Sequence, residues 1–285
     1  MRNTTVRWSE SHWQSSLSAA PLVMGIINAT PDSFSDGGRF QTVKAALSRV
    51  SDMVGQGADI IDVGGESTRP GAKPVPVDEE LKRVIPIISE IKKRHDVLVS
   101  IDTMKAAVAE AAIRSGVDII NDVSALTADP AMEDVACASD VGLILMHMRG
   151  RPETMQLGDL SSVDVVDDVC QYLQARIDAL VSKGIMRERI AVDPGIGFGK
   201  TVEQNLALIN RLDELAVLNA PVLLGVSRKS VLGAITERPV DQREAAGCAA
   251  HTVGLLKGAR IIRVHEVAVA RDVVRMTSAL VTGGA

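Results

Sequence analysis

The chain has 285 residues, enough for one large barrel or two ordinary domains, and its 46% hydrophobic content supports a sizeable core. A formal net charge of −5 argues against a general nucleic-acid binder, and no run of about 18 apolar residues is present to span a membrane. With aromatics at only 2%, the core must be aliphatic.

In chain order, residues 1–21 carry Trp8 and Trp13 without a clear period and are expected as an N-terminal extension, a lid or an arm. They hold no apolar core of the secretory type, so a cytoplasmic location is expected. A first strand is predicted over 22–28, then a loop rich in Pro, Asp, Ser and Gly from Thr30 to Phe40, then a helix from Thr42 to Gly57. A second strand at 59–63 leads into a Gly/Pro-rich loop, Gly64 to Pro76. The helix over 78–94 shows Leu81, Val84, Ile85, Ile88 and Ile91 at helical spacing, with a kink expected at Pro86. Strands follow at 97–102, 118–123, 142–147, 189–193, 221–226 and 260–264, with helices at 105–115, 165–183, from Thr201, at 242–257 and at 267–280. Thr201 and Gln204 have the spacing of a capping box. Cys137, Cys170 and Cys248 fall in predicted helices with no paired spacing, and are expected as small buried thiols of a reducing compartment.

Short β-type runs alternating with helices argue for parallel strands covered by helices, and eight such units predict a single (β/α)8 TIM barrel over 22–282. In that fold the chemistry sits at the C-terminal mouths of the strands. The apolar runs here end in Asn28, Asp62, Asp102, Asn121, His147, Asp193, the Ser227-Arg228-Lys229 triplet, and Arg263 with His265.

A lone carboxylate at a strand end reads as a helix cap or a structural ion pair. Asp62, Asp102 and Asp193 on one rim read better as a set converging on a ligand with donor groups. Asn121 adds a donor and an acceptor, and Lys229 a cation for a carbonyl oxygen, which together suit a flat polar heterocycle with amino and oxo groups on one edge. Arg263 and His265, two apart, point the same way and suit a phosphate or diphosphate, the alternative being a surface ion pair with Glu266 or Asp241. His147 reads as a structural residue. Phe34, Phe40 and Phe198 all follow strands, as ligand contacts or loop anchors. The run Gly195-Ile-Gly-Phe-Gly-Lys200-Thr201 resembles a phosphate loop, but Pro194 occupies the position where that pattern needs its first glycine. No His/Cys/carboxylate spacing marks a protein-caged metal, whereas Mg²⁺ held partly by substrate phosphates needs none.

Two long motifs then point to a family. Met24-Gly-Ile-Ile-Asn28-Ala-Thr-Pro-Asp-Ser-Phe34-Ser-Asp-Gly-Gly38 and Gly57-Ala-Asp-Ile-Ile-Asp62-Val-Gly-Gly-Glu-Ser-Thr68-Arg69-Pro-Gly71 resemble the signatures of the dihydropteroate synthases. Ser100-Ile-Asp102-Thr, Ile119-Ile-Asn121-Asp-Val, Asp193-Pro-Gly-Ile-Gly-Phe198-Gly-Lys, Gly225-Val-Ser227-Arg-Lys229-Ser and Arg263-Val-His265-Glu-Val follow in that family's order. Ile196, where Phe is frequent, and Gln204, where His is frequent, depart from the common pattern.

The resemblance implies condensation of a dihydropterin diphosphate with p-aminobenzoate, giving dihydropteroate and diphosphate. It implies that Asp102, Asn121, Asp193 and Lys229 hold the pterin, with Asp62 as support, and that Met146 and Gly225 also bind substrate. Asn28, Arg263 and His265 would face the diphosphate, with Mg²⁺ near Asn28, and Thr68, Arg69, Phe198 and Ser227 would frame the p-aminobenzoate. Asp102, Asp193, Lys229, Arg263 and His265 are the residues expected to carry catalysis. A homodimer through the helices beyond Thr201 is also implied, with no nucleic-acid or membrane partner. Pterin-dependent methyltransferases resemble the family in barrel and pocket, but the Arg263/His265 pair and the Thr68-Arg69 loop speak against them, and an assay for methyl transfer to a corrinoid separates the two. A non-catalytic pterin-binding paralogue is the other alternative, and diphosphate release decides it.

Overall fold

The computed structural model describes residues 20–29, 39–68, 71–156, 160 and 164–283, with the backbone alone for 39–42. The Thr30–Gly38 part of the first loop, Arg69, Trp8, Trp13 and Phe34 therefore lie outside the described residues, as does the Phe40 side chain.

Eight parallel strands close into a barrel in sequence order: β1 (Leu22–Asn28), β2 (Ile60–Gly64), β3 (Leu98–Asp102), β4 (Ile119–Asp122), β5 (Gly142–Met146), β6 (Ile190–Asp193), β7 (Val222–Leu224) and β8 (Ala259–Val264). Between and after them run α1 (Arg39–Gly55), α2 (Val77–Arg94), α3 (Ala106–Arg114), α4 (Met132–Cys137), α5 (Val165–Ser182), α6 (Val202–Asn210), α7 (Ser230–Thr236), α8 (Glu244–Leu256) and α9 (Val267–Thr282). The predicted TIM barrel is the fold found. Among the described residues no helix is long and apolar enough to cross a membrane.

Side-chain alternation along each strand builds the barrel in two shells. Outward residues such as Ile61, Val99, Ile120, Leu143, Val192 and Ile262 join the helices in one aliphatic layer. Inward residues Met24, Ile60, Ile119, Ile144, Ala191, Leu223 and Ile261 fill the interior as a separate plug. Among the described residues no aromatic side chain belongs to either cluster of buried residues, in line with the composition. The plug closes the lower barrel and leaves the next inward position of each strand to form the floor of a bowl.

Several local expectations are met and others corrected. Thr201 caps α6 and Gln204 completes the capping box. The helix containing Pro86 is one continuous element, α2. The seventh strand is shorter than predicted, with a register irregularity against β8 between Val222 and Leu223. Helix α7 is absent from the predicted elements, and α4 is expected only through Cys137 and without bounds: at six and seven residues neither is long enough to display a helical period. The three cysteines are free but none is fully buried: Cys137 is exposed, and Cys170 and Cys248 are half-buried, Cys170 packing against the outer aliphatic layer.

Candidate active site

Two residues beyond six of the seven plug residues stands one of the site groups read from the sequence, Met24 with Ile26 being the exception. Ile60 is followed by Asp62, Ile119 by Asn121, Ile144 by Met146, Ala191 by Asp193, Leu223 by Gly225 and Ile261 by Arg263. The two-residue strand repeat aims all of them into one bowl at the C-terminal ends of the strands. Asn28, Gly64 and Asp102 are register partners across β1, β2 and β3. A side chain at Gly64 would meet Asp102 at 3.5 Å, so glycine leaves the space between Asn28 and Asp102 open.

Hydrogen bonds span the bowl between strands that are not neighbours. Arg263 on β8 donates through Nε to Asp62 Oδ2 on β2 at 2.6 Å and through Nη2 to Asp102 Oδ2 on β3 at 2.8 Å. Asn121 on β4 donates to the same Asp62 oxygen at 3.2 Å. Asp62 is fully buried, and its second oxygen has no partner among the described residues. It accepts from both Arg263 and Asn121, so it joins β2 to β8 and β4 across the interior. Arg263 forms its ion pairs with these inward carboxylates, whereas Glu266 pairs with Arg49 and Arg228.

The remaining cation comes from the β7–α7 connection. Lys229 Nζ donates to the carbonyl of Ile196 and lies 4.6 Å from the centre of the Phe198 ring, a cation–π contact. Asp193 Oδ1 accepts from the Gly195 amide at 2.7 Å. Burial draws Lys229 down to about 8, with Asp193 opposing that fall, Arg263 adding to it and Asp102 opposing it. Burial likewise pushes Asp193 up against the pull of Lys229 and the Gly195 amide. It raises Asp102 to about 7 even with Arg263 in contact, because Asp62, Glu80 and Asp122 add negative potential. The bowl thus holds carboxylates whose charge is poorly compensated, a setting that favours an arriving cation.

Ser227 accepts from the His265 backbone amide at 3.3 Å and lies 3.0 Å from His265 Nδ1. The residues expected on the aryl and diphosphate sides are therefore in direct contact. Thr68 stands half-buried in the loop after β2, whose base is closed by Val75 N donating to Glu66 at 2.6 Å. His147 lies outside the bowl. Its ring packs edge-on against Tyr172 at 5.1 Å, and burial holds it neutral, down to about 3.

Two features escaped the sequence. Lys105 bridges Glu66 at 2.6 Å and the fully buried Glu80 at 2.5 Å, tying the loop after β2 to α2 and β3. Glu80 stands four residues before Val84 on the buried stripe of α2, a spacing that places it inward. The second is Lys200, buried under the β6–α6 loop.

The chain resembles known proteins over most of its length. The pattern of the pterin binding enzymes matches residues 24–265. The dihydropteroate synthase of Haemophilus influenzae is 43% identical over 261 residues, covering 92% of this chain and 94% of the relative. The Xanthomonas albilineans dihydropteroate synthase solved with 4-aminobenzoic acid superposes with a TM-score of 0.87 at 43% identity, over 92% of this chain and 93% of that one. The Burkholderia cenocepacia dihydropteroate synthase complexed with 7,8-dihydropteroate gives 0.84 at 44% identity, over 93% of each chain. With the barrel, the rim residues and the matched length in agreement, the chain belongs to the pterin-binding enzyme family, among the dihydropteroate synthases.

Proposed function

We propose that the bowl condenses 6-hydroxymethyl-7,8-dihydropterin diphosphate with p-aminobenzoate, releasing diphosphate and forming 7,8-dihydropteroate for folate synthesis. The observation that carries this assignment of roles is the cross-barrel network of Arg263, Asp62, Asp102 and Asn121, with Lys229 and Asp193 facing it. One relative holding 4-aminobenzoic acid and another holding 7,8-dihydropteroate support the same substrate and product here.

In this reading Asn121, Asp102 and Asp193 take the amino and ring N–H groups of the pterin, and Lys229 its oxo group. Met146 and Gly225 line the ring faces. The bond between the pterin methylene carbon and the bridging oxygen breaks, and its electron pair leaves with diphosphate. The pterin becomes cationic beside Asp102 and Asp193, two carboxylates that burial leaves short of positive charge, so their stabilisation grows as the reaction proceeds. Arg263 and His265 stabilise the charge growing on the departing diphosphate. The amine of p-aminobenzoate, held by Thr68, Arg69, Phe198 and Ser227, then attacks the methylene carbon and loses its proton. An arylamine is a fair nucleophile, so positioning outweighs the need for a general base.

A Mg²⁺ ion fits the rim only as a shared ligand. Among the described residues no group of three His, Cys, Asp or Glu side chains could hold a metal. The Asn28 amide oxygen, with the gap over Gly64, suits an ion that takes its other ligands from diphosphate and water. When bound it supplies Lewis-acid neutralisation of the leaving group.

The chain pairs with a second copy through α6, α7 and α8. An apolar groove of about 660 Å³ lined by Leu206, Val231, Ile235, Ala246 and Val253 supports this, with Ile235 59% exposed. A cytoplasmic setting fits the three free cysteines.

The test is a mixing assay of purified protein with dihydropterin diphosphate, p-aminobenzoate and Mg²⁺. Equimolar dihydropteroate and diphosphate are expected. Binding of both substrates without product would leave a pterin-binding paralogue instead.

A further inference from the structure

The run that reads as a broken phosphate loop folds around its own lysine. Lys200 is 3% exposed, and its ammonium donates to the carbonyls of Gly195 at 2.9 Å, Phe198 at 3.0 Å and His147 at 3.3 Å. Three donors meet three carbonyls, and among the described residues no carboxylate pairs with it. The loop it grips is pressed onto the segment after β5. Gly195 has φ +68°, and a Cβ there would sit 1.9 Å from the His147 carbonyl oxygen; Gly199 has φ +66°, and a Cβ there would sit 2.8 Å from that of Arg149. Asn205 fixes the middle of the loop by accepting from the Gly197 amide at 2.6 Å.

Between the two loop carbonyls that Lys200 holds lies Ile196, whose carbonyl takes the Lys229 ammonium, and the second of them belongs to Phe198, whose ring faces that ammonium. The hydrogen bond and the ring contact of the Lys229 head are thus both mounted on a loop held by Lys200. We infer that Lys200 is a positioning residue: a buried cation that moulds the β6–α6 loop into the cradle for Lys229. It does not bind phosphate, and it acts on the reaction only through Lys229 and Phe198. The inference rests on Lys229 acting at the pterin.

The charged groups facing Lys200 are Asp193 on β6, Lys229 before α7, Arg149 after β5 and Asp168 on α5. Burial draws it down to about 7, with Asp193 and Asp168 opposing and Lys229 and Arg149 adding to the fall. The clamp therefore loses one of its three N–H donors as pH rises above that point.

The experiment is a double-mutant cycle on the full chain with Lys200→Met, Lys229→Met and the pair, reading kcat/KM for dihydropterin diphosphate. Lys200→Met is expected to lower it by about 10-fold or more. Adding it to Lys229→Met should change little, within about twofold, because its effect passes through that residue. Losses that multiply, or full activity in Lys200→Met, would overturn the inference. Full activity in Lys229→Met alone would instead overturn the reading of Lys229 beneath it. Should Lys200→Met fail to fold, hydrogen exchange of the wild-type amides of Gly197 and Phe198 decides. After correction for intrinsic rates, protection should fall at least about 10-fold between pH 6 and 9. Unchanged protection would overturn the clamp.

Discussion

Arg263 and Asp62 stand 201 positions apart in the chain and share a 2.6 Å hydrogen bond across the barrel interior. The same guanidinium reaches Asp102, so one cation organises two carboxylates on β2 and β3. Its Nε and Nη2 are taken by these two carboxylates. Removing the side chain takes away the partner of a fully buried Asp62 and, in the proposed role, the anion ligand. Arg263→Ala is expected to weaken diphosphate binding by about 10- to 100-fold, the scale of one lost charged hydrogen bond. Titration calorimetry with diphosphate and Mg²⁺ measures it, and an unchanged affinity would remove Arg263 as an anion ligand.

Lys229 supplies a pH signature. Burial holds its ammonium at about 8, below the ordinary lysine range, with Asp193 and Asp102 opposing that fall and Arg263 adding to it. The charged form is complete below that value and is lost above it. The kcat/KM for dihydropterin diphosphate should therefore fall tenfold per pH unit on the alkaline side of about 8, a limb missing from the residual activity of Lys229→Met. A profile flat to pH 10, within the stability range of the protein, would show that the charge on Lys229 is not used.

Much of this site was legible because barrel strands are short and their inward positions are fixed by a repeat of two. Once Ile60, Ile119, Ala191 and Ile261 are recognised as plug residues, Asp62, Asn121, Asp193 and Arg263 must share their face. What stayed hidden was burial against type. Lys200 enters the sequence only as the lysine of a broken phosphate loop; lysines are rarely enclosed, and only the closed loop turns this one inward. Glu80 sits among Asp78 and Glu79 in the first turn of α2, where acids are expected for the helix dipole, so its burial under Lys105 was masked by its neighbours. Cys137 was read as buried from residue type alone, and its place on the outer face of a six-residue helix left no period to correct that.

The Gly195 position tests the packing of the β6–α6 loop. An alanine there combines a left-handed backbone at φ +68° with a Cβ 1.9 Å from the His147 carbonyl oxygen. Gly195→Ala is expected to destabilise the protein by about 3 kcal/mol or more, adding backbone strain to overpacking. Urea unfolding followed by circular dichroism gives the value. A midpoint equal to wild type would mean that the loop does not press on the segment after β5.

The groove between α6, α7 and α8 gives the proposed pairing a direct check. Ile235 stands on its rim, and a charge there would be buried without a partner in any association of two copies. Ile235→Glu is expected to convert dimer to monomer in sedimentation velocity while leaving the circular dichroism spectrum unchanged. A monomeric wild type would end the proposal.

In the proposed reaction the charge of the buried carboxylates, and not merely their shape, drives ionisation of the pterin. Asp102→Asn keeps the size of the side chain and an acceptor for Arg263 but abolishes its negative charge. Single-turnover measurement of dihydropteroate formation with this variant, at saturating substrates and Mg²⁺, isolates the chemical step. The expected result is a rate at least about 100-fold below wild type with pterin still bound. A rate within a few-fold of wild type would contradict the account.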